Sequence, residues 1–127
     1  MIDGDTIKID GEIIRFSGID APEIKQTCIK TKIVINCGQI SKKLIEDKIE
    51  FTNLNCISEG KDRYGRTLAE CFAENESLSS YLVRQGYAFA YRKYSKKFVN
   101  DEEFAMNNNK GMWGMKFIFP WEYRRKN

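Results

Sequence analysis

Histidine is absent from this 127-residue sequence, and the four cysteines that it contains show no Cys-x-x-Cys spacing. A zinc site would therefore have to gather all four thiolates without the usual spacing of zinc ligands. No apolar run approaches the roughly 20 residues that span a bilayer, which predicts no membrane span. The sequence also lacks internal repeats, low-complexity segments and the composition of a disordered chain. With these classes excluded, we expect the chain to fold as a globular domain.

The cysteines nevertheless carry information about the compartment. We favour two disulfides, one joining Cys28 to Cys37 across a loop and one joining Cys56 to Cys71 across neighbouring strands. Disulfides indicate an oxidising environment, so we expect a secreted or periplasmic protein whose export signal lies outside this sequence. Two alternatives stay open, namely a four-thiolate zinc site and four reduced, buried cysteines in a cytosolic protein.

Length and net charge limit the number of domains and the kinds of partner that we expect. A chain of 127 residues fits one domain, 1–127, which is large enough to bury its own core. The formal net charge of +3 permits an anionic partner without requiring one. The placement of the charges is therefore more informative than their sum.

The stretch from Arg15 to Glu23 concentrates charge at the end of a predicted strand. Apolar and β-branched positions predict a strand over residues 12–19. Pro22 ends that strand because it has no N–H group to donate. Asp20 and Glu23 consequently lie at or just beyond a strand end, where a rigid scaffold can hold charged groups beside a cleft. Two carboxylates and an arginine at such a place indicate metal and phosphate chemistry.

A hairpin is predicted immediately before this stretch. Residues 6–9 alternate as a strand, Asp10-Gly11 is a tight-turn dipeptide, and the next strand returns from it. Asp5 precedes the first strand and Asp20 follows the second, so the hairpin of residues 5–19 brings these two carboxylates to the same end.

The rest of the sequence predicts a mixture of short strands and helices. We expect an irregular loop over residues 24–37, helices over 38–48, 77–86 and about 100–109, strands over 49–57, 66–73 and 87–91, and an apolar tail that packs back on the domain. This order favours an α+β fold, a small OB-type β-barrel with about three helices packed against it.

Several motifs in one order closely resemble the staphylococcal nuclease (thermonuclease-like) family. The resemblance covers nearly the whole chain, and an exported subgroup of the family shares the cysteine positions and the Pro-Trp-Glu-aromatic-Arg-Arg ending. The motifs are Ile2-Asp3-Gly4-Asp5-Thr6, Arg15 with Ile19-Asp20-Ala21-Pro22-Glu23, Asp62-Arg63-Tyr64-Gly65-Arg66, Val83-Arg84-Gln85-Gly86 and Gly111-Met112-Trp113. The resemblance implies a five-stranded Greek-key OB barrel. Family members carry a strand before the first motif, so we expect an open seam here, or a strand supplied to an otherwise monomeric protein by another chain.

The resemblance also implies a metal site. Calcium would bind the carboxylates of Asp5 and Asp20 and the backbone carbonyl of Ala21. Calcium takes about 6 to 8 oxygen ligands, so substrate phosphate and water would complete its shell.

The implied reaction is phosphodiester hydrolysis. Glu23 matches the general base that activates water, and Arg15 and Arg66 match the arginines that bind the phosphate and stabilise its growing charge. The expected substrates are single-stranded or denatured DNA and RNA, with products that end in a 3′-phosphate.

Four further residues match substrate contacts of the family. Arg63 and Tyr64 correspond to a phosphate-binding pair, and Tyr91 or Tyr94 to tyrosines that flank the bound base. Each charged residue taken alone would be better explained as a turn residue or a structural ion pair. Their joint occurrence favours the nuclease over two alternatives, a non-catalytic OB-fold nucleic-acid-binding module and an exported calcium-binding or adhesion domain.

Overall fold

The computed structural model describes residues 2–126. Within that range nine strands are combined with four α-helices and one 3-10 turn. The strands, in chain order, are β1 Thr6–Ile9, β2 Glu12–Phe16, β3 Ile19–Asp20, β4 Cys28–Lys30, β5 Ile33–Ile35, β6 Leu54–Lys61, β7 Thr67–Ala73, β8 Glu76–Ser77 and β9 Phe89–Ala90. The helices are α1 Cys37–Ile49, α2 Leu78–Arg84, α3 Val99–Asn107 and α4 Pro120–Lys126, and the 3-10 turn is Gly111–Gly114.

The predicted hairpin is confirmed, with β1 and β2 paired antiparallel. Asp10 and Gly11 turn the chain with φ of 50° and 82°, the left-handed values that a two-residue hairpin turn requires. Gly18, at φ 79°, then ends the run that we predicted as one strand to residue 19. The two residues of β3 beyond it leave the main sheet and pair with β9.

The main sheet has the strand order β1-β2-β7-β6, and β8 adds to β7. β7 runs parallel to β2 and antiparallel to β6. Within residues 2–126 no strand pairs β6 with β1, so the main sheet does not close into a barrel. Four helices replace the expected three, because the apolar tail ends in α4.

The prediction of an irregular loop over residues 24–37 is wrong. β4 and β5 form an antiparallel hairpin there. Its turn places Thr31 and Lys32 at φ of 51° and 68°, although neither belongs to the residue types that usually signal such a turn. The hairpin is joined to the tail, because Ile29 and Lys116 exchange two backbone hydrogen bonds.

Helix α1 contains the predicted helix and extends it by one residue at each end. The strand predicted over residues 49–57 therefore starts and ends later than expected, as β6 over Leu54–Lys61. Ile49 closes the helix, Phe51 adopts a φ of 60°, and β6 starts only at Leu54. In α2 the predicted cap is confirmed, since Ser77 Oγ accepts a hydrogen bond of 3.2 Å from the backbone N–H of Ser80.

The interior has two parts. The larger core lies between the main sheet and helices α1 and α2, and it includes Phe16, Ile45 and Leu82, each fully buried. The second is an aromatic cluster around Phe89, against which the rings of the tail pack, as predicted. None of the helices within residues 2–126 is long and apolar enough to cross a bilayer.

Both predicted disulfide pairings are confirmed. Cys28 is bonded to Cys37, which ties the β4–β5 hairpin to the start of α1. Cys56 is bonded to Cys71, and these two residues lie directly opposite each other on β6 and β7. No free cysteine remains among the described residues.

We expect Phe89→Ala to lower the free energy of unfolding by about 3–5 kcal/mol. Phe89 is fully buried, and its ring centroid lies 5.2–5.3 Å from those of Trp113, Phe117 and Phe119. Equilibrium denaturation would measure the loss. Phe51→Ala is the matched control, because Phe51 is 98% exposed and its removal should change stability by less than about 0.5 kcal/mol. Equal losses in the two variants would contradict the assignment of Phe89 to the centre of the cluster.

Candidate metal and phosphate site

Asp5 lies immediately before β1, and its buried carboxylate joins the two ends of the hairpin. Oδ1 accepts a hydrogen bond of 2.9 Å from Thr6 Oγ1, and Oδ2 accepts one of 2.8 Å from the backbone N–H of Ala21. The latter bond holds the start of β1 against the residue that follows β3. The predicted meeting of Asp5 with Asp20 and Ala21 is thereby confirmed.

Arg15 links the two aspartates. Its Nη2 lies 3.5 Å from Asp5 Oδ2 and 3.5 Å from Asp20 Oδ1. Its Nη1 donates hydrogen bonds of 3.0 Å to the backbone carbonyls of Phe16 and Ile19, which fixes the guanidinium in this position. The Asp20 side chain is completely buried, whereas 14% of the Arg15 side chain is exposed.

Glu23 lies three residues beyond Asp20 on a segment that is held at several points. Its backbone N–H donates to Gln26 Oε1 at 3.2 Å, and buried Gln26 in turn donates from Nε2 to the carbonyl of Ile118 at 2.8 Å. Helix α1 packs directly on this segment, since a Cβ atom at Gly38 would lie 1.9 Å from the carbonyl oxygen of Glu23. The backbone is therefore rigid, while the Glu23 side chain is 32% exposed.

Arg124, on helix α4, also belongs to this cluster, and we did not predict it. Its guanidinium contacts both carboxylate oxygens of Asp20, at 3.0 Å and 2.7 Å, and Oε1 of Glu23 at 3.0 Å. The Arg-Arg ending marks this segment in the sequence. No local spacing, however, indicates that a residue 104 positions away faces Asp20.

The cluster holds more negative than positive charge. Asp3, a second residue that we did not predict, accepts a hydrogen bond of 3.2 Å from the backbone N–H of Asp5. Burial and the neighbouring charge of Asp5 raise the pKa of the Asp3 carboxyl to about 8. Burial also raises the pKa of Asp20, against the opposing hydrogen bonds of Arg124. For Asp5 burial acts in the same direction, but Arg15 and the hydrogen bonds to its carboxylate outweigh it and lower the pKa.

These residues fit a hard cation such as calcium. The donors are carboxylate and carbonyl oxygens, which calcium prefers. Among the described residues no group of three or more acidic or cysteine side chains is arranged as a metal centre. The protein would thus supply Asp5, Asp20 and the carbonyl of Ala21, and leave the remaining positions to water and a phosphate ligand.

Arg66 lies outside this cluster, in the turn between β6 and β7. Asp62 organises that turn. Its Oδ1 accepts hydrogen bonds of 2.9 Å from the backbone N–H groups of Tyr64 and Arg66, and its Oδ2 accepts one of 2.7 Å from Arg66 Nε. Burial alone would raise the pKa of Asp62, but these hydrogen bonds lower it below its usual value. Tyr64 is 70% exposed, and the guanidinium of Arg63 lies 5.1 Å from its ring.

The sheet register relates Arg66 to Arg15. Leu68 on β7 is the partner of Arg15 on β2, and both are less buried than their neighbours along the strands. Arg66 lies two residues before Leu68, in the turn that leads into β7. Within residues 2–126 no hydrogen bond or ion pair joins Arg66 to the acidic cluster.

Tyr91 and Tyr94 lie beside β3. The backbone N–H of Tyr91 donates to the carbonyl of Gly18 at 2.9 Å, and the two tyrosine rings meet edge to face at 4.9 Å. The ring of Tyr91 also stacks on Trp121, with centroids 5.7 Å apart. Tyr94 is 72% exposed. Of the two, Tyr94 therefore has the more accessible ring, and Tyr91 supports helix α4.

Sequence comparison identifies several relatives of this chain. An uncharacterized endonuclease of Haemophilus influenzae is 34% identical over 116 residues, and the succinoglycan biosynthesis protein ExoI of Rhizobium meliloti is 31% identical over 117 residues. Each match covers 89% of this chain, and the chain spans about 60% of the length of either relative. The SPbeta prophage-derived endonuclease YokF of Bacillus subtilis is 28% identical over 88% of this chain and 41% of its own length.

Residues 13–115 match the family described as staphylococcal nuclease homologue. The matched range contains β2 from its second residue, β3 and the β6–β7 turn, and with them Arg15, Asp20, Glu23 and Arg66. The chain therefore belongs to the staphylococcal nuclease family.

Proposed function

We propose that residues 1–127 act as one OB-type nuclease domain, a calcium-dependent phosphodiesterase that hydrolyses single-stranded or denatured DNA and RNA with little sequence preference. Family membership and the relatives named as endonucleases support this function. The observation that carries the proposal is the pair of buried carboxylates, Asp5 and Asp20, which Arg15 links within a few ångströms of the accessible Glu23.

The proposed metal ligands are the carboxylates of Asp5 and Asp20 and the carbonyl of Ala21. A bound calcium ion would polarise a phosphoryl oxygen and neutralise part of the charge that develops on the phosphate. Both carboxylates are oriented before any substrate arrives, because Asp5 is held by Thr6 and Ala21 and Asp20 is held by Arg15.

The remaining chemistry belongs to Glu23, Arg15 and Arg66. Glu23 takes a proton from the attacking water, whose oxygen forms the new bond to phosphorus. Arg15 and Arg66 donate hydrogen bonds to the phosphate oxygens and stabilise their growing charge. The bond from phosphorus to the 5′ oxygen then breaks, the departing oxygen takes up a proton from solvent to become a 5′-hydroxyl, and the phosphate stays on the 3′ end of the product.

Substrate binding is assigned to the exposed aromatic and basic side chains near the reaction site. Arg63 and Tyr64 project from the β6–β7 turn, and Tyr94 presents an accessible ring with Tyr91 behind it. Stacking of a base on an aromatic ring contributes about 1–3 kcal/mol and tolerates any base, which suits cleavage without sequence preference.

Denatured DNA should be cleaved in the presence of calcium and remain intact in excess chelator. Glu23→Gln and Arg66→Ala should each lower kcat/KM by about 10²–10³-fold, because they remove the proposed base and one phosphate ligand. Rates would be measured from acid-soluble nucleotide release. Glu103→Gln is the matched control, since Glu103 lies exposed on α3. Chelator-resistant cleavage would contradict calcium dependence, and binding of DNA without cleavage would instead indicate a non-catalytic OB module.

Asp62→Asn tests whether the β6–β7 turn positions Arg66. The amide keeps an acceptor for the backbone N–H groups but loses the charge opposite the Arg66 guanidinium, so kcat/KM should fall by about tenfold while the melting temperature changes little. Asp47→Asn, which breaks the exposed ion pair of 2.6 Å with Lys43, is the control and should leave the kinetics unchanged. Unaltered kinetics in Asp62→Asn would show that Arg66 does not depend on this turn.

The two disulfides support the proposal that the protein is exported, because such bonds persist in oxidising compartments. Protein isolated without reductant and unfolded in denaturant should react with no more than trace amounts of a thiol reagent. After reduction the same reagent should label four cysteines per chain. Four reactive thiols before reduction would remove the basis for export.

A further inference from the structure

Arg124 contacts the carboxylate of Asp20, which is one of the proposed metal ligands. The guanidinium contacts both oxygens of the Asp20 carboxylate, at 2.7 Å and 3.0 Å, and extends to Glu23 at 3.0 Å. Asp20 is completely buried, and Arg15, at 3.5 Å, is its other charged partner in the described part of the chain. Each oxygen of Asp20 therefore already has a charged hydrogen-bond donor against it, so a metal ion would compete with Arg124 for this carboxylate.

The helix that carries Arg124 is anchored independently of this contact. Pro120 is buried, and the ring of Trp121 stacks on those of Phe119 and Tyr91 with centroids 4.7 Å and 5.7 Å apart. Residues three apart lie on one side of a helix, so the stacked Trp121 directs Arg124 towards Asp20. Helix α4 can therefore stay docked when the Arg124 side chain moves.

The Arg124 side chain has room to move. It is 40% exposed, whereas Arg15 is 14% exposed and hydrogen-bonded to two backbone carbonyls. The charge balance also makes Arg124 replaceable. It is one of two arginines that contact the carboxylates of Asp5, Asp20 and Glu23, and a divalent cation would supply the same compensation from within the carboxylate pair.

We infer that Arg124 is a displaceable counter-ion of the metal site, which holds Asp20 and Glu23 in the cation-free protein and releases them when calcium binds. This inference rests on the proposed calcium site. It makes Arg124 a positioning residue that keeps the carboxylates in place between metal-binding events. Calcium affinity is then lower than the acidic cluster alone would give, because each binding event breaks the paired hydrogen bonds from the Arg124 guanidinium to Asp20.

The test is isothermal titration of the metal-free protein with calcium. Arg124→Ala should bind calcium at least about tenfold more tightly than the wild type, since no charge-assisted fork has to be broken. Arg124→Lys should fall between them, because lysine keeps the charge but lacks the planar fork. In excess chelator Arg124→Ala should melt at a lower temperature than the wild type, and calcium should restore most of the difference.

Arg125→Ala is the matched control. Arg125 is the next residue of α4 and is exposed. Its side chain makes no hydrogen bond or ion pair with any residue from 2 to 126. The Arg125→Ala substitution removes the same charge from the same helix and leaves the contacts of Asp20 intact. The calcium affinity of this variant should therefore stay within about twofold of the wild type at physiological salt.

The outcomes separate the two proposals. Equal calcium affinities in wild type and Arg124→Ala, with DNA cleavage by the wild type intact, would overturn the inference alone. The same tightening in Arg125→Ala and Arg124→Ala would also overturn it, because a general charge effect would then explain both. Absence of calcium binding in all four proteins would overturn the proposed calcium dependence and the inference with it.

Discussion

The structure depends on keeping charged carboxylates inside a protein. Asp20 is completely buried and Asp5 nearly so, and an uncompensated charge in such a place costs several kcal/mol. Compensation comes from Arg15, from the N–H of Ala21 and from Arg124. The hairpin, the β3–β9 pair and helix α4 are thereby joined at one point, which is also the site that we propose for a cation and a phosphate.

The half of the site that is local in sequence was predictable. A tight turn at residues 10–11 between two alternating strands forces Asp5 and Asp20 to one end, and the structure shows them there. Arg15 lies within the predicted strand, and the structure pairs it with Leu68 of β7. The disulfide between Cys56 and Cys71 was also predictable, because the two cysteines lie on neighbouring predicted strands. These features are set by strand period and turn chemistry, which act over a few residues.

The rest could not be read from local patterns. The β4–β5 hairpin turns on Thr31 and Lys32, whose left-handed conformations are maintained by tertiary contacts instead of by residue preference. Closure of the barrel depends on which strands meet, a property of the whole sheet. Arg124 reaches Asp20 only because the aromatic rings before it fix the path of the tail, and a single sequence does not encode that geometry in any spacing.

The separation of Asp20 and Arg124 also has a kinetic consequence. The bond between Asp5 and Ala21 closes a loop of 16 residues, whereas the one between Asp20 and Arg124 closes a loop of 104. The chain entropy lost in closing the longer loop is greater by about 1.6 kcal/mol, so the local hairpin forms early and the arginine contact late. We therefore expect the sheet to assemble before Arg124 reaches Asp20, so that the acidic centre loses its remaining contact with water late in folding.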